Sequence, residues 1–220
     1  VKRGFFITFE GGEGSGKSTQ ARRLVAALRR RGRRPVHTRE PGGTAIAEAV
    51  RRVLLTPGGR VAPVTELLLY EAARAQHLAE VVRPALARGR VVVCERYTDA
   101  TEAYQGFGRG LPLADIRLLN RVATGGLAPD LTFLLDVPVR RGLRVARRLG
   151  KKLSRRAGRS RGGDRMERES SLFHERVRRG YLSLARREPR RVRVIPWGAS
   201  IGAVHEGVLK ETLAGSRGRR

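Results

Sequence analysis

The chain has 220 residues, 40% of them apolar, and a formal charge of +27. That length suits one domain with a proper hydrophobic core, and no run of about 20 apolar residues exists to span a membrane. Lysine occurs only at Lys2, Lys17, Lys151, Lys152 and Lys210, and every other cation is arginine; abundant Arg, Gly and Ala read mainly as compositional bias, with part of the charge available for phosphate-bearing ligands.

Residues 4–10 (GFFITFE) read as a buried strand rather than a leader, because the apolar run passes straight into a glycine loop. A helix is expected over 17–31, with Leu24, Val25 and Leu28 on one face and Gly32 at its end. A second strand at 35–39 leads into the turn PGG at 41–43, and Thr44 is placed to cap a helix over 45–55. After the breakers Pro57, Gly58 and Gly59, a long helix is expected over 64–88, closed by Gly89. RVVVC at 90–94 is the most strand-like run. The region 98–124 reads as helical, interrupted by the glycine-rich 106–110 and Pro112. Strands are expected at 130–137 and 191–195, and helices at 139–149, 164–187 and 201–213. The stretch 150–163, GKKLSRRAGRSRGG, has no apolar face and reads as a mobile loop or insertion, and the basic tail 214–220 as frayed. Strands alternating with helices indicate an α/β fold with a parallel sheet in a single domain over 1–213. The lone Cys94 cannot form an internal disulfide and fits a reducing, cytoplasmic setting.

The spacing Gly11-x4-Gly16-Lys17-Ser18, with a strand before it and a helix after it, is a phosphate-binding P-loop. Its glycines let backbone N–H groups converge on phosphate oxygens, and the helix N-terminus adds its positive end. Lys17 is placed to reach the β- and γ-phosphates of ATP, and the Ser18 hydroxyl to ligate Mg²⁺. The ATP-binding segment is therefore Gly11, Gly12, Glu13, Gly14, Ser15, Gly16, Lys17, Ser18 and Thr19. Glu13 is out of keeping with an anion-binding loop. Repulsion by the triphosphate should turn it away from ATP, towards a hydroxyl or a cation.

An ordered series of motifs follows: FEGGEGSGKSTQ at 9–20, TREPGGT at 38–44, RAQH at 74–77, ERYTDATEAYQGFGRG at 95–110, PDLTFLLDVP at 129–138 and DRMERES at 164–170. Over roughly 4–213 this series resembles bacterial thymidylate kinases. The resemblance implies a P-loop nucleoside monophosphate kinase fold, a central parallel five-stranded sheet flanked by helices, with a basic lid at about 140–165. It implies transfer of the γ-phosphoryl group of ATP to dTMP, with Mg²⁺. Glu13 matches the acidic residue facing the sugar 3′-hydroxyl, Arg51 the arginine gripping the dTMP phosphate, and Arg96 the one bridging acceptor and donor phosphates. Tyr70 matches an aromatic stacked on thymine and Arg74 an arginine bonded to a base carbonyl; the two stand one helical turn apart. Tyr104 matches the tyrosine packed on the deoxyribose, where it crowds a 2′-hydroxyl. Thr101, with Gln105, is the choice for polar contact to the base. The family often has a cis peptide before the proline that matches Pro41. Gln76 and His77 read as structural polar residues.

Two positions depart from the family pattern. Glu95 stands where an aspartate usually helps organise Mg²⁺, and its extra methylene alters the reach of the carboxylate. Ala100 stands where a small hydroxyl residue is usual. Gly14 takes the place of the P-loop arginine of some members, so a lid arginine must supply the catalytic charge; Arg147 and Arg165 fit the lid pattern best, alongside Lys17 and Arg96. The resemblance also implies a homodimer, and no nucleic acid is required. Competing readings are a kinase for another nucleoside monophosphate, a basic nucleic-acid-binding P-loop ATPase, and an inactive homologue.

Overall fold

The computed structural model describes residues 4–156 and 164–217. Strands β1 (Phe5–Glu10), β2 (Val36–Arg39), β3 (Val91–Glu95), β4 (Leu131–Asp136) and β5 (Val192–Pro196) form one parallel sheet in the order β2-β3-β1-β4-β5. The three inner strands are covered on both faces, which is why they read as continuous apolar runs; the edge strands β2 and β5 alternate instead.

Helix α1 (Lys17–Arg30) and the C-terminal helix, α9 (Ile201–Arg217), cover one face. There Leu24, Val25, Leu28 and Val208 pack on Phe5, Ile7, Phe9, Val93 and Phe133. The two-residue period of the strands sends Phe6, Val92 and Cys94 to the other face, onto Leu78, Val82 and Leu86. Helix α2 (Ala45–Leu55) starts at Thr44, whose side chain accepts a hydrogen bond from Ala47 N. Helix α3 (Pro63–His77) runs through a π-helical turn at Leu78–Val82 into α4 (Arg83–Ala87). Helix α5 (Thr98–Thr101) continues as a second π-helical segment over Glu102–Gly108, and α6 is Leu113–Thr124. Helices α7 (Val139–Arg156) and α8 (Ser171–Arg187) complete the fold. Among the described residues, no helix is long and apolar enough to cross a membrane.

Four local expectations need correction. Helix α7 does not stop at 149 but runs to Arg156, because Gly150 is followed by residues of good helix propensity and one interior glycine costs only about 1 kcal/mol. Residues 157–163, the rest of the expected insertion, lie outside the described residues, and so do Arg159 and Arg161. Residues 164–170 form turns rather than helix; α8 begins after Ser170, whose hydroxyl caps Phe173 N at 3.1 Å. The glycines at 106 and 108 continue the π-helical segment rather than break it. Their missing side chains leave room for neighbours, since a Cβ on Gly106 would meet Leu113 at 2.5 Å and one on Gly108 would meet Phe173 at 2.7 Å. The C-terminal helix continues to Arg217, so the residues expected to fray from 214 are helical that far.

Candidate active site

Chain order reverses at β1, which lies between β3 and β4, and ligands of open parallel sheets bind beyond the strand ends at such a point. The loop 11–16 follows β1 there. Gly11, Gly14 and Gly16 have φ of 134°, 64° and 96°, the left-handed region that a side chain disfavours. Gly16 passes directly into α1. Lys17 folds back over the loop, with Nζ donating to Gly11 O at 3.0 Å and Gly12 O at 2.7 Å. Burial, then Arg96, pulls its amine down to about 8, against the pull of Glu13, Glu10 and Glu95.

Glu13 turns out of the loop towards a cleft on the far side. Its Oε1 accepts from Arg96 Nη2 at 2.5 Å and from the Tyr104 hydroxyl at 2.8 Å. Burial pushes this carboxyl up, but Arg96, Lys17 and the Tyr104 bond outweigh it and hold it at about 2. Arg96 also lies over the Tyr104 ring, 4.8 Å from its centroid. Its backbone has φ 69°, uncommon for a residue with a side chain. That turn is fixed on both sides: Arg96 N donates to Phe9 O, and Tyr97 N to Glu10 Oε1 at 2.7 Å.

The cleft is lined by Glu13, Arg51, Tyr70, Arg96, Thr101 and Tyr104, and further by Glu40, Pro41, Leu55, Ala100, Gln105, Asp164 and Met166. It gathers the acceptor-site residues expected from sequence. Arg51, on α2, donates to Pro41 O at 2.8 Å. The Glu40–Pro41 bond is cis.

Arg74 also borders the cleft, but its five N–H groups are already committed. Nε donates to Glu40 at 2.8 Å; Nη1 to Glu71 and Asn120, each at 2.7 Å; Nη2 to Thr101 Oγ1 at 2.9 Å and Tyr97 O at 3.2 Å. With a relative exposure of 2%, it braces the wall and leaves no donor over for a base carbonyl. Glu40 is the second hub. It also bonds His77 Nδ1 at 3.0 Å, and His77 Nε2 meets Thr38 Oγ1 at 2.7 Å, so His77 is structural.

The two lid arginines differ. Arg165 is buried, with Nε on Leu54 O at 2.8 Å and a guanidinium nitrogen 2.6 Å from Glu66. Glu66 also holds Arg109 and accepts from Gln105 Nε2 at 2.6 Å. Arg165, at the end of the expected lid, therefore fastens its segment to Leu54 of α2 and Glu66 of α3. Arg147 is exposed on α7. It draws down the nearby Glu167 carboxyl, which burial, Asp164 and Glu13 push up to about 7.

Glu95 ends β3 beside the P-loop. The Ser18 hydroxyl donates to its Oε2, and His37 Nε2 lies 3.0 Å from its Oε1. Burial pushes the Glu95 carboxyl up, but these hydrogen bonds, with the charges of His37 and Lys17, bring it below its ordinary value. The adjacent hydroxyl and carboxylate are the oxygen donors that Mg²⁺ prefers.

Sequence reading missed Glu10, Glu40, Glu66 and His37. Their signal was only that of carboxylates and a histidine at strand ends or on helices; what gives them roles is partners far away in the chain. A cluster of Glu40, His77 and Cys94 has ligand atoms within 4.8 Å of one another, but Glu40 and His77 are already spent on Arg74, Thr38 and each other.

Comparison with known proteins points one way. The family model described as Thymidylate kinase matches residues 9–208. The chain is 54% identical to the thymidylate kinase of Geobacter sulfurreducens over 212 residues, 96% of this chain and 97% of that one. It is 50% identical to the thymidylate kinase of Gloeobacter violaceus, with 92% of each covered. The crystal structure of thymidylate kinase from Ehrlichia chaffeensis superposes with a TM-score of 0.75 at 32% identity, covering 96% of this chain and 99% of that one.

Proposed function

The chain belongs to the thymidylate kinase family and transfers the γ-phosphoryl group of ATP to dTMP, giving dTDP and ADP; from that premise we propose how its residues divide the work. ATP lies on the loop 11–16 with Lys17 and Thr19, and dTMP fills the cleft beyond Glu13. The observation that carries this division is the Glu13–Arg96–Tyr104 cluster, which stands between the P-loop and the cleft.

In the acceptor half, Arg51 and Arg96 hold the dTMP phosphate in line with ATP, guanidinium being suited to paired phosphate contacts. Glu13, ionised over the working pH range, accepts from the sugar 3′-hydroxyl. Tyr104 packs on the deoxyribose, and Tyr70 offers its ring to the base. Gln105 spends its amide N–H on Glu66, which leaves its carbonyl oxygen to accept from the base. Thr101 accepts from Arg74 and keeps its own O–H to donate. Arg74 serves the base indirectly, by fixing Thr101.

The acceptor phosphate is already an oxyanion, so no general base is required. Phosphoryl transfer depends on positioning and on charge at the transferring group. Lys17 and Arg96 supply that charge from the body of the enzyme, and Arg147 from α7. Ser18 and Glu95 are the residues that would hold Mg²⁺, which when bound neutralises phosphate charge. We also propose a cytoplasmic homodimer: α3 and α6 carry exposed Val64, Leu68, Leu118 and Val122, more apolar surface on neighbouring helices than solvent favours.

A coupled assay of ADP release with ATP, Mg²⁺ and a panel of dTMP, dUMP and dCMP tests the reading, with Lys17→Ala as the control. Turnover should be greatest with dTMP and be lost in the variant. Equal turnover with dCMP would overturn the acceptor assignment.

A further inference from the structure

His37 stands on the edge strand β2 opposite Val93 of β3, two residues before Glu95. Successive side chains alternate along a strand, so His37, Val93 and Glu95 share one face of the sheet. That face is covered by α1, which carries Ser18 in its first turn. The Glu95 carboxylate is thereby held at both oxygens, Oε2 by Ser18 and Oε1 by His37 at 3.0 Å. Glu95 is the more shielded partner, its side chain 14% exposed against 28% for His37, which stands on the open edge of the sheet.

The two anchors stand on different elements, and Glu95 spans the gap between them. An aspartate would end one C–C bond sooner, roughly 1.5 Å, too short to keep both. We propose that His37 is a positioning residue for the metal–nucleotide site, one that makes Glu95 serviceable where a shorter carboxylate would need no such partner. By occupying Oε1, His37 turns Oε2 towards Ser18 and the P-loop. Groups that orient a metal's own ligands commonly matter to affinity almost as much as the ligands. The inference rests on Ser18 and Glu95 being the residues that hold the cation.

The test is Mn²⁺ binding to the enzyme–ADP complex, followed by electron paramagnetic resonance. It compares the unmodified protein with His37→Ala, His37→Gln, Glu95→Asp, Glu95→Ala and the double variant His37→Ala/Glu95→Asp. His37→Ala should weaken Mn²⁺ by about 10-fold or more, and His37→Gln, which keeps an N–H donor, should recover most of it. The affinity for dTMP, measured by calorimetry, should stay unchanged, which a general loss of structure would not allow. In the Glu95→Asp background, His37→Ala should cost nothing further. Unchanged Mn²⁺ affinity in His37→Ala, alongside a loss in Glu95→Ala, overturns the role of His37. An equal loss in both backgrounds overturns the pairing. If Glu95→Ala also leaves Mn²⁺ affinity unchanged, the metal assignment itself fails, and the proposal with it.

Discussion

Gly14 of the P-loop and Gly142 of α7 meet backbone to backbone. A Cβ on Gly14 would come within 2.1 Å of Gly142 O, and one on Gly142 within 2.3 Å of Glu13 O. There is no room for an arginine at position 14, so catalytic charge has to come from elsewhere. The same contact seats the root of the lid helix on the phosphate loop. Gly142→Ala should force the two apart, destabilising the fold by about 1–3 kcal/mol and raising the KM for ATP more than that for dTMP. Thermal melts and steady-state kinetics check both parts. Equal KM changes for the two substrates would show that the contact does not bear on the ATP half.

The lid arginines should separate by phenotype. Arg147→Ala should lower kcat by about 10³-fold if it stabilises the transferring group, with little change in melting temperature. Arg165→Ala removes a buried partner of Glu66 and should lower stability by about 3 kcal/mol or more. Measuring kcat and chemical denaturation on both variants decides the matter. A fall of about 10³-fold in kcat confined to Arg165→Ala would return the catalytic role to that residue.

Glu13 should act as a fixed anion. Its carboxyl, held at about 2, contributes no titration to the pH–rate profile above about pH 4. Glu13→Gln removes charge-assisted bonds to Arg96 and Tyr104 and should reduce kcat/KM for dTMP by about 10–100-fold, with a smaller effect on the KM for ATP. A larger effect on ATP than on dTMP would place Glu13 on the donor side.

Glu10 should leave a mark on stability against pH. Its carboxyl is pushed from 4.5 up to about 8, first by burial and then by Asp99. A raised folded-state value favours the protonated form, so its contribution is fully present below pH 4.5 and is lost as pH rises through 8. Glu10→Gln, fixed in the neutral state, should lose that slope. Melting temperatures of the two proteins should therefore diverge in favour of the variant as pH rises towards 8. Lys17, held down at about 8, works in the opposite sense, but only between there and 10.5. Parallel curves between pH 5 and 8 would show that Glu10 is already ionised in the fold.

The exposed apolar side chains on α3 and α6 predict a dimer that Val122→Glu disrupts. Light scattering should report twice the chain mass for the unmodified protein and a single chain for the variant. The same mass for both would remove Val122 from the interface.

Much of this protein was determined by its sequence alone. Strand positions followed from apolar runs and the P-loop from glycine spacing, because these depend on local backbone geometry and the two-residue period. The ordered motifs gave the family, and with it the residues that line the cleft. What only the tertiary structure decided was how each long side chain is spent. Arg74 and Arg165 look like free arginines in the sequence, yet Arg74's donors are taken up by Glu40, Glu71, Asn120, Thr101 and Tyr97 O, and Glu66 holds Arg165. His37 looks like an ordinary edge-strand residue until β3 brings Glu95 beside it. Hydrogen-bond capacity is finite, and only the assembled chain shows which groups have already used it.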